Sequence, residues 1–453
     1  MRQWTSARIA HAASADVITS GPSESGPEFV TIDSRIAGPG ALFVGLPGER
    51  VNGGAFAAET LESGAWGVLT TPDHARALEH TAAGAVIAAV DPLKSLQMLA
   101  TAWRRELGAQ VIGVTGSTGK TSTKDLLLAL LAPHRRTVAS RANFNTEIGL
   151  PLEILNARQG TQILVLEMGM RGPGQIAELA EIAEPDVAVI VSIGPVHLEL
   201  LGSIEAIAAA KAELIAALPP HGTAIVPAGE KLLDPHLRQD VTTITFGPDG
   251  DVRPQSTDGD RLTIDAAGEP ITLEVPFTQA HLRANLLAAV AAARAVGVTP
   301  QGRVELALSQ GRGQRYITPG AVTVIDDCYN ANPISMRAAL SDLKATADAA
   351  DSARRVAVLG DMLELGPQER EFHAQLGEEA AAAGVDVLVT VGPRAASIAE
   401  HFGGETHALA DAKEAAVVVP ELLAPGDVVL VKASRGVGLE LVCRALGARE
   451  DDA

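Results

Sequence analysis

The 453-residue chain is poor in several things, and each shortage excludes something. It has two cysteines, Cys328 and Cys443, in no spacing that a metal site or redox pair would use. A disulfide-stapled scaffold is therefore excluded. With no leader-like segment, a reducing, cytoplasmic setting is expected. Aromatic residues make up 3% against 47% hydrophobic, so the cores must be aliphatic and alanine-rich. No apolar run approaches the roughly 20 residues of a membrane span, so no membrane insertion is expected. Basic residues are outnumbered 36 to 55, a net charge of −19. That balance disfavours nucleic acid and anionic membranes as partners. It leaves small anionic ligands open, because these bind local nests of N–H groups and single Lys or Arg side chains. The acidic end, Glu450 to Asp452, reads as solvated. Low-complexity segments and solenoid repeats are absent.

What is present is a regular alternation of strand and helix signals, which predicts an α/β protein of two to four domains. One stretch organises the rest: Val111 to Lys124, VIGVTGSTGKTSTK. Val111 to Val114 is a short apolar run that reads as a buried parallel strand. Thr115, Gly116, Ser117, Thr118 and Gly119 form a glycine loop, followed by Lys120, Thr121 and a helix expected over Thr123 to Leu131. This is the context of a phosphate-binding loop. Glycine lets backbone approach an anion without a Cβ in the way. Loop N–H groups and the helix N-terminus then face the phosphates. Lys120 would reach the β- and γ-phosphates, and the Thr121 hydroxyl would help hold Mg²⁺. The strict pattern wants a glycine at Val114, so the motif here is the shorter G-x-x-G-K-T.

Taken in order, residues 1–90 read as a small α/β unit, 91–313 as a central nucleotide-binding unit, and 314–453 as a third, Rossmann-like unit. In the first, Ser34 and Arg35 either bind an anion or simply close a strand-end turn. In the second, strand Ile163 to Leu166 ends in Glu167. Ligands bind at the carboxyl ends of strands in open α/β sheets, so Glu167 is a candidate Mg²⁺ ligand. Strand Val187 to Ile193 leads to His197, either a metal ligand or a structural residue. The following helix carries Lys211, whose default reading is a surface lysine. His281 and Asn285 lie one turn apart on another helix, either facing a ligand or capping the start. Gly311 to Arg315 reads as a hinge. Beyond it, Asp326, Asp327, Asn330, Asn332 and Ser335 cluster at a strand end, and Arg435 follows a later strand.

Together these pieces resemble the Mur ligase family, the ATP-dependent amide-forming enzymes of peptidoglycan synthesis, over essentially the whole chain. The carriers are TGSTGKTS, NFNTEIGLP, LEMG, HLELLGSIEAIAAAKAEL, HLRAN, DDCYNANPISM with GDMLELG, and DSRIAGPGALFVGLPGERVNGGAF. Departures from the family pattern are Ala142 for glycine, Thr146 for a second asparagine, Asn52 and Gly54 for Asp and His, and Leu282 for asparagine. The resemblance implies three domains: a UDP-sugar domain, a central ATP domain with a mostly parallel sheet, and a C-terminal Rossmann-like domain for the incoming substrate. It implies ligation of D-alanyl-D-alanine to a UDP-N-acetylmuramoyl tripeptide through an acyl phosphate, by a monomer using ATP and two Mg²⁺. Glu167 becomes the metal glutamate, His197 the metal histidine, and Lys211 a carbamylated lysine beside the second ion. Lys120, Glu167, His197 and Lys211 are then the catalytic set. Asn285, Arg312 and Asp326 or Asp327 are assigned to ATP. Asn143 and Asn145 are assigned to phosphate or the reacting carboxylate, and Asn330, Asn332, Ser335 and Arg435 to the dipeptide.

Two other readings compete. A folylpolyglutamate synthase shares the ATP domain and chemistry, but the first 90 residues and YNANP argue against it. A P-loop regulatory ATPase would have no use for Glu167, His197 and Lys211 together.

Overall fold

Runs such as Val111–Val114, Ile163–Leu166 and Val428–Val431 are apolar at every position, which suits parallel strands covered on both faces. In the computed structural model, which describes residues 1–21, 25–80, 84–350 and 354–448, all of them are buried strands. The acidic end, Glu450 to Asp452, lies outside the described residues.

Among the described residues three sheets follow one another along the chain. The first runs Asp16–Thr19, Ala85–Ala88, Gly67–Thr70, Ala41–Val44, Phe29–Thr31, parallel apart from its first strand. The central sheet begins Thr137–Ala139, Ile163–Glu167, Gln110–Thr115, Val187–Ile190, Thr223–Pro227, Thr242–Phe246, all parallel. It continues through the antiparallel strands Val252–Asp258, Arg261–Ala266 and Glu269–Glu274 to a short edge at Gly302–Arg303. The third has an antiparallel edge, Gln314–Ile317, then Thr323–Asp326, Val428–Lys432, Arg355–Gly360, Val387–Val391 and Glu405–Leu409 in parallel.

Strand alternation divides the central core in two. Leu164, Leu166, Ala188 and Ile190 pack beneath helices Pro92–Leu107, Gln175–Ala183 and Ile204–Ala216. Ile163, Val165, Val187 and Val189 pack beneath Lys120–Leu131 and Ala280–Ala295. The first of these cores continues into the first unit. Trp4 meets Trp103 edge-on, with ring centroids 5.5 Å apart. Asn156 completes that join by pairing with the free edge of strand Phe29–Thr31. Its Oδ1 accepts from Val30 N and its Nδ2 donates to Val30 O, both at 2.9 Å. A side-chain amide thus does there what a neighbouring strand would do.

Three elements differ from expectation. The helix after the glycine loop begins at Lys120, not Thr123, because Gly119 at φ +79° turns the chain straight into it. Strand Val187–Ile190 stops short of Ile193 because the next residues bond to the loop instead: Ser117 N donates to Ser192 O at 2.9 Å. Ser335, read as part of a strand-end cluster, lies instead within the first turn of helix Pro333–Ala349.

Candidate active site

The order of the central sheet fixes where a ligand can sit. Strand Gln110–Thr115 has Ile163–Glu167 on one side and Val187–Ile190 on the other. The connections diverge there, leaving a crevice at the carboxyl ends. The glycine loop fills its floor. Thr115 Oγ1 donates to Met168 O at 2.9 Å, and Ser117 Oγ donates to Gly194 O at 3.0 Å. Thr118 N donates to Ser192 Oγ at 2.9 Å. The side chains of Thr115 and Ser117 therefore lash the loop to neighbouring strand ends. Asn285, assigned to ATP, packs on the loop itself: a Cβ on Gly119 would lie 2.8 Å from its Oδ1.

The charged centre is built on that floor. Lys120 Nζ folds back onto Gly116 O at 2.8 Å. Glu167 is 2% exposed. Its Oε2 accepts from Thr121 Oγ1 and its Oε1 from Asn145 Nδ2, both at 2.9 Å. Lys211, on helix Ile204–Ala216, is also 2% exposed. Among the described residues its amine has no hydrogen-bond or ion-pair partner. Burial drives it well below the ordinary lysine range, and the charge of Lys120 pushes the same way. Burial likewise lowers Lys120, opposed by Glu167 and reinforced by Arg312. His197 is lowered by burial, with Glu364 opposing and Lys120 and Lys211 adding to the effect. These groups share one electrostatic neighbourhood, as the sequence grouped them. The donor set, a hydroxyl, a carboxylate, an imidazole and a desolvated amine, fits Mg²⁺ only if the amine is converted to an oxygen ligand.

The third unit closes over this centre. A Cβ at Gly194 would collide with Ile334 Cδ1, and Glu364 pairs with His197. Between the units His281, Leu282, Arg312, Asp327 and Asp342 line an enclosed space of about 20 Å³. Asp326, assigned to ATP, does not face it. Neighbouring residues at a strand end point to opposite sides. Asp326 turns inward, 6% exposed, and its Oδ1 accepts from Cys328 N at 3.3 Å. It lies with the free thiols of Cys328 and Cys443, the three ligand atoms within 4.8 Å of one another. The cysteines that sequence spacing kept apart are therefore neighbours. Asp327 takes the outward place, held by Lys432 Nζ at 2.6 Å.

The residues assigned to substrates divide. A cleft of about 1170 Å³ between the first and central units is lined by Thr31, Asp33, Arg141, Asn143 and Thr146, among others. Ser34 and Arg35 stand outside its lining. The Arg35 side chain is 86% exposed and pairs with Asp33 at 2.6 Å. Asn332 and Ser335 are tied up in a reciprocal cap of helix Pro333–Ala349, with Ser335 N to Asn332 Oδ1 and Asn332 N to Ser335 Oγ both at 3.0 Å. Asn330 is exposed, its Oδ1 accepting from Ala331 N at 2.9 Å. Arg435 donates to the Tyr329 hydroxyl at 3.0 Å.

Sequence reasoning missed Glu364, Tyr329 and a buried cluster under the linker. In that cluster Lys124 and Asp125 pair at 2.7 Å, and Asp125 Oδ2 accepts from Ser309 N at 2.9 Å. Glu364 and Tyr329 lie inside GDMLELG and DDCYNANP, so position at a strand end was the available signal. Lys124 and Asp125 carried none.

Fold and site define a phosphate-loop α/β protein whose nucleotide crevice is flanked by a unit on either side. Family models then make the class specific. "Mur ligase family, catalytic domain" matches 27–104, "Mur ligase middle domain" 114–293, and "Mur ligase, glutamate ligase domain" 311–435. The chain belongs to the Mur ligase family. Among its relatives, the UDP-N-acetylmuramoyl-tripeptide–D-alanyl-D-alanine ligase of Bacillus subtilis is 37% identical over 431 residues, 92% of each chain. The crystal structure of MurF from Acinetobacter baumannii superposes with a TM-score of 0.84 at 28% identity, covering 98% of each chain. MurF from Thermotoga maritima, in complex with ADP, gives 0.78 at 29% identity over 92% of this chain and 96% of that one. No helix among the described residues is long and apolar enough to cross a membrane.

Proposed function

We propose that the chain ligates D-alanyl-D-alanine to UDP-N-acetylmuramoyl-tripeptide at the expense of ATP, giving the pentapeptide precursor of peptidoglycan. The observation that carries this reading is the buried Glu167, bridging Thr121 of the phosphate loop and Asn145, beside Lys120 and the desolvated Lys211.

A carboxylate is a poor electrophile, so it must be activated. An oxygen of the tripeptide's terminal carboxylate attacks the γ-phosphorus of ATP, the bond to the β-phosphate oxygen breaks, and ADP leaves. The dipeptide amine then attacks the acyl carbon, the tetrahedral intermediate loses the amine proton and collapses, and inorganic phosphate departs with the former carboxylate oxygen and, in the net balance, that proton. Carboxylate and triphosphate repel, so positive charge must be waiting where they meet. Lys120 supplies it on the loop and Arg312 from the linker. Thr121 and Glu167 would hold one Mg²⁺, and His197 with a carbamylated Lys211 a second, the ions neutralising phosphate charge. Lys211 is suited to carbamylation because burial favours its neutral amine, whose lone pair adds to CO₂ with loss of one proton. Asn143 faces the cleft where the UDP-sugar peptide would lie. Asp327, rather than Asp326, is the acidic group offered to the nucleotide. All these groups come from one chain, so a monomer suffices, and the use of ATP and a UDP-linked substrate suits a cytoplasmic enzyme.

The test is phosphate release from ATP with UDP-N-acetylmuramoyl-tripeptide, with and without D-alanyl-D-alanine. Release that requires both, with a mass gain of one dipeptide minus water, is expected. Hydrolysis indifferent to either substrate would overturn the reading. For Lys211, ¹³C-bicarbonate should give a carbamate resonance that the Lys211→Arg variant lacks.

A further inference from the structure

His197 and Glu364 belong to different units, yet they meet at the charged centre. His197 lies just before helix Leu198–Leu201, and Glu364 in the loop after strand Arg355–Gly360. Nδ1 of the imidazole is in hydrogen-bond contact with Oε2 of the carboxylate. An ionised carboxylate can only accept, so Nδ1 carries the proton and the Nε2 lone pair is left free. Oε1 of Glu364 lies 3.8 Å from Arg171 Nε, which keeps the carboxylate facing His197.

Both backbones are unusual. His197 has φ +54° and Glu364 φ +62°, a region that side-chain-bearing residues adopt only when their surroundings impose it. The surroundings do impose it at Glu364. Met362 N donates to His373 Nε2 and Leu363 N to Ser434 Oγ, each at 3.0 Å. Glu199 N donates to Glu364 O at 3.3 Å across the boundary between units. Gly366 packs so closely that a Cβ there would lie 3.2 Å from Glu199 Cα. The loop is braced from behind to present one carboxylate to one imidazole.

We propose that Glu364 is a positioning residue for the ligase reaction: contributed by the third unit, it fixes the tautomer and orientation of His197, so that the His197 ligand is in place only when the two units meet. The inference rests on the reading of His197 as a Mg²⁺ ligand. Imidazole ligands commonly donate their other N–H to a carboxylate, and losing that partner costs about 10- to 100-fold in metal affinity or activity. Here the partner lies on the far side of the Gly311–Arg315 linker, so assembly of the cation site would depend on the third unit meeting the central one.

The test uses the full chain with Mn²⁺ as the probe, titrated by electron paramagnetic resonance in the presence of a non-hydrolysable ATP analogue and the UDP-tripeptide. Glu364→Gly removes the carboxylate and suits the left-handed backbone, so the variant should fold. It should weaken the weaker Mn²⁺ site about tenfold and lower kcat by a similar factor, with the KM for ATP within twofold of wild type. Glu364→Gln can still accept from Nδ1–H and should stay within about threefold on both measures. His197→Ala should lose the weaker site. Should His197→Ala lose it while Glu364→Gly binds Mn²⁺ like wild type, the positioning role is overturned and the reading of His197 stands. Retention of both sites in His197→Ala would sink that reading, and the positioning role with it.

Discussion

The guanidinium of Arg312 lies over the ring of Tyr329, 4.1 Å from its centroid, and Arg435 sits at 5.0 Å from the same centroid while donating to the hydroxyl. One aromatic side chain of the third unit thus holds two cations, one from the linker and one from near that unit's far end. Gly311, at φ +67°, makes room for it: a Cβ there would lie 3.2 Å from Tyr329 Cβ. Half-exposed cation–π contacts are worth about 0.5–1 kcal/mol each. Tyr329→Leu removes both and should lower kcat/KM by about 5- to 30-fold. Tyr329→Phe keeps both stacks and loses only the hydroxyl contact to Arg435. Its effect should be smaller, about two- to fivefold, and fall on the KM for the dipeptide. Steady-state kinetics with each substrate varied would separate the two. Equal losses in Phe and Leu would remove the stacking argument.

Thr121 and Glu167 form the other test of the centre. Glu167→Gln keeps a group that can accept from Thr121, and the Asn145 amide can rotate to pair with the new amide. Shape and hydrogen bonds survive, and only the charge goes. Losing a preorganised electrostatic group of this kind costs about 10²–10³-fold in turnover. A matching fall in kcat/KM, with the melting temperature within a few degrees, is expected. Thr121→Ser should keep most activity, whereas Thr121→Val, which strands Glu167 Oε2, should not.

How much of this was legible depends on whether chemistry left a local mark. The phosphate loop was legible because strand, glycines, Lys120 and Thr121 are contiguous, and backbone geometry alone demands their order. Glu167 was legible as a carboxylate ending an apolar strand. Lys211 was not: nothing in IAAAKAEL distinguishes a surface lysine from a desolvated one, and only the resemblance raised it. Asp326 and Asp327 could not be ordered because both end the same strand, and facing depends on the register with Val428–Lys432. Asn332 and Ser335 read as polar groups at a strand end, but the helix start used them first. Long-range contacts, such as Glu364 with His197 between units or Asp125 with Ser309 within the central one, have no sequence signature. They join residues far apart in the chain, and no periodicity connects them.

The loop that carries Glu364 should be acid-labile through His373. This residue is fully buried. Its Nε2 accepts from Met362 N at 3.0 Å and its Nδ1 donates to Glu369 O at 2.7 Å, a pattern only the neutral ring satisfies. Burial lowers its pKa from the usual value near 6.5. The sign follows directly. In the window between the depressed folded value and 6.5, the unfolded chain binds a proton that the folded chain refuses. Stability is therefore unaffected above that window and falls as pH drops through it. His373→Gln can keep one of the two bonds and has no proton to take up. The stability gap between wild type and His373→Gln, measured by urea unfolding, should be flat above pH 7 and shift against wild type below about pH 6. A gap that is constant down to pH 5 would show that folded and unfolded chains take up this proton alike, so that burial does not lower the pKa of His373.

Ala142 offers a stabilising substitution in a position the family usually gives to glycine. It sits at φ +40° in the turn Arg141–Phe144, where Phe144 N donates to Arg141 O at 3.0 Å. A left-handed conformation costs an L-residue about 1–2 kcal/mol, because its Cβ crowds the next carbonyl. Glycine avoids that cost but loses more backbone entropy on folding, about 0.5–1 kcal/mol. The difference favours Ala142→Gly by up to about 1 kcal/mol. The side chain is exposed, so no packing is lost. Ala142→Val, β-branched at positive φ, should destabilise by more than 1 kcal/mol. The turn leads into Asn145, so the strained alanine also bears on the group that holds Glu167. If the glycine simply relaxes the turn, Ala142→Gly should unfold at higher temperature with its kcat unchanged. If the strain is what aims Asn145, the same variant should be more stable and slower, and Asn145→Ala should slow the wild type more than it slows the Ala142→Gly background. Thermal unfolding and steady-state kinetics on the four proteins separate these outcomes. An Ala142→Gly chain less stable than wild type would refute the strain itself.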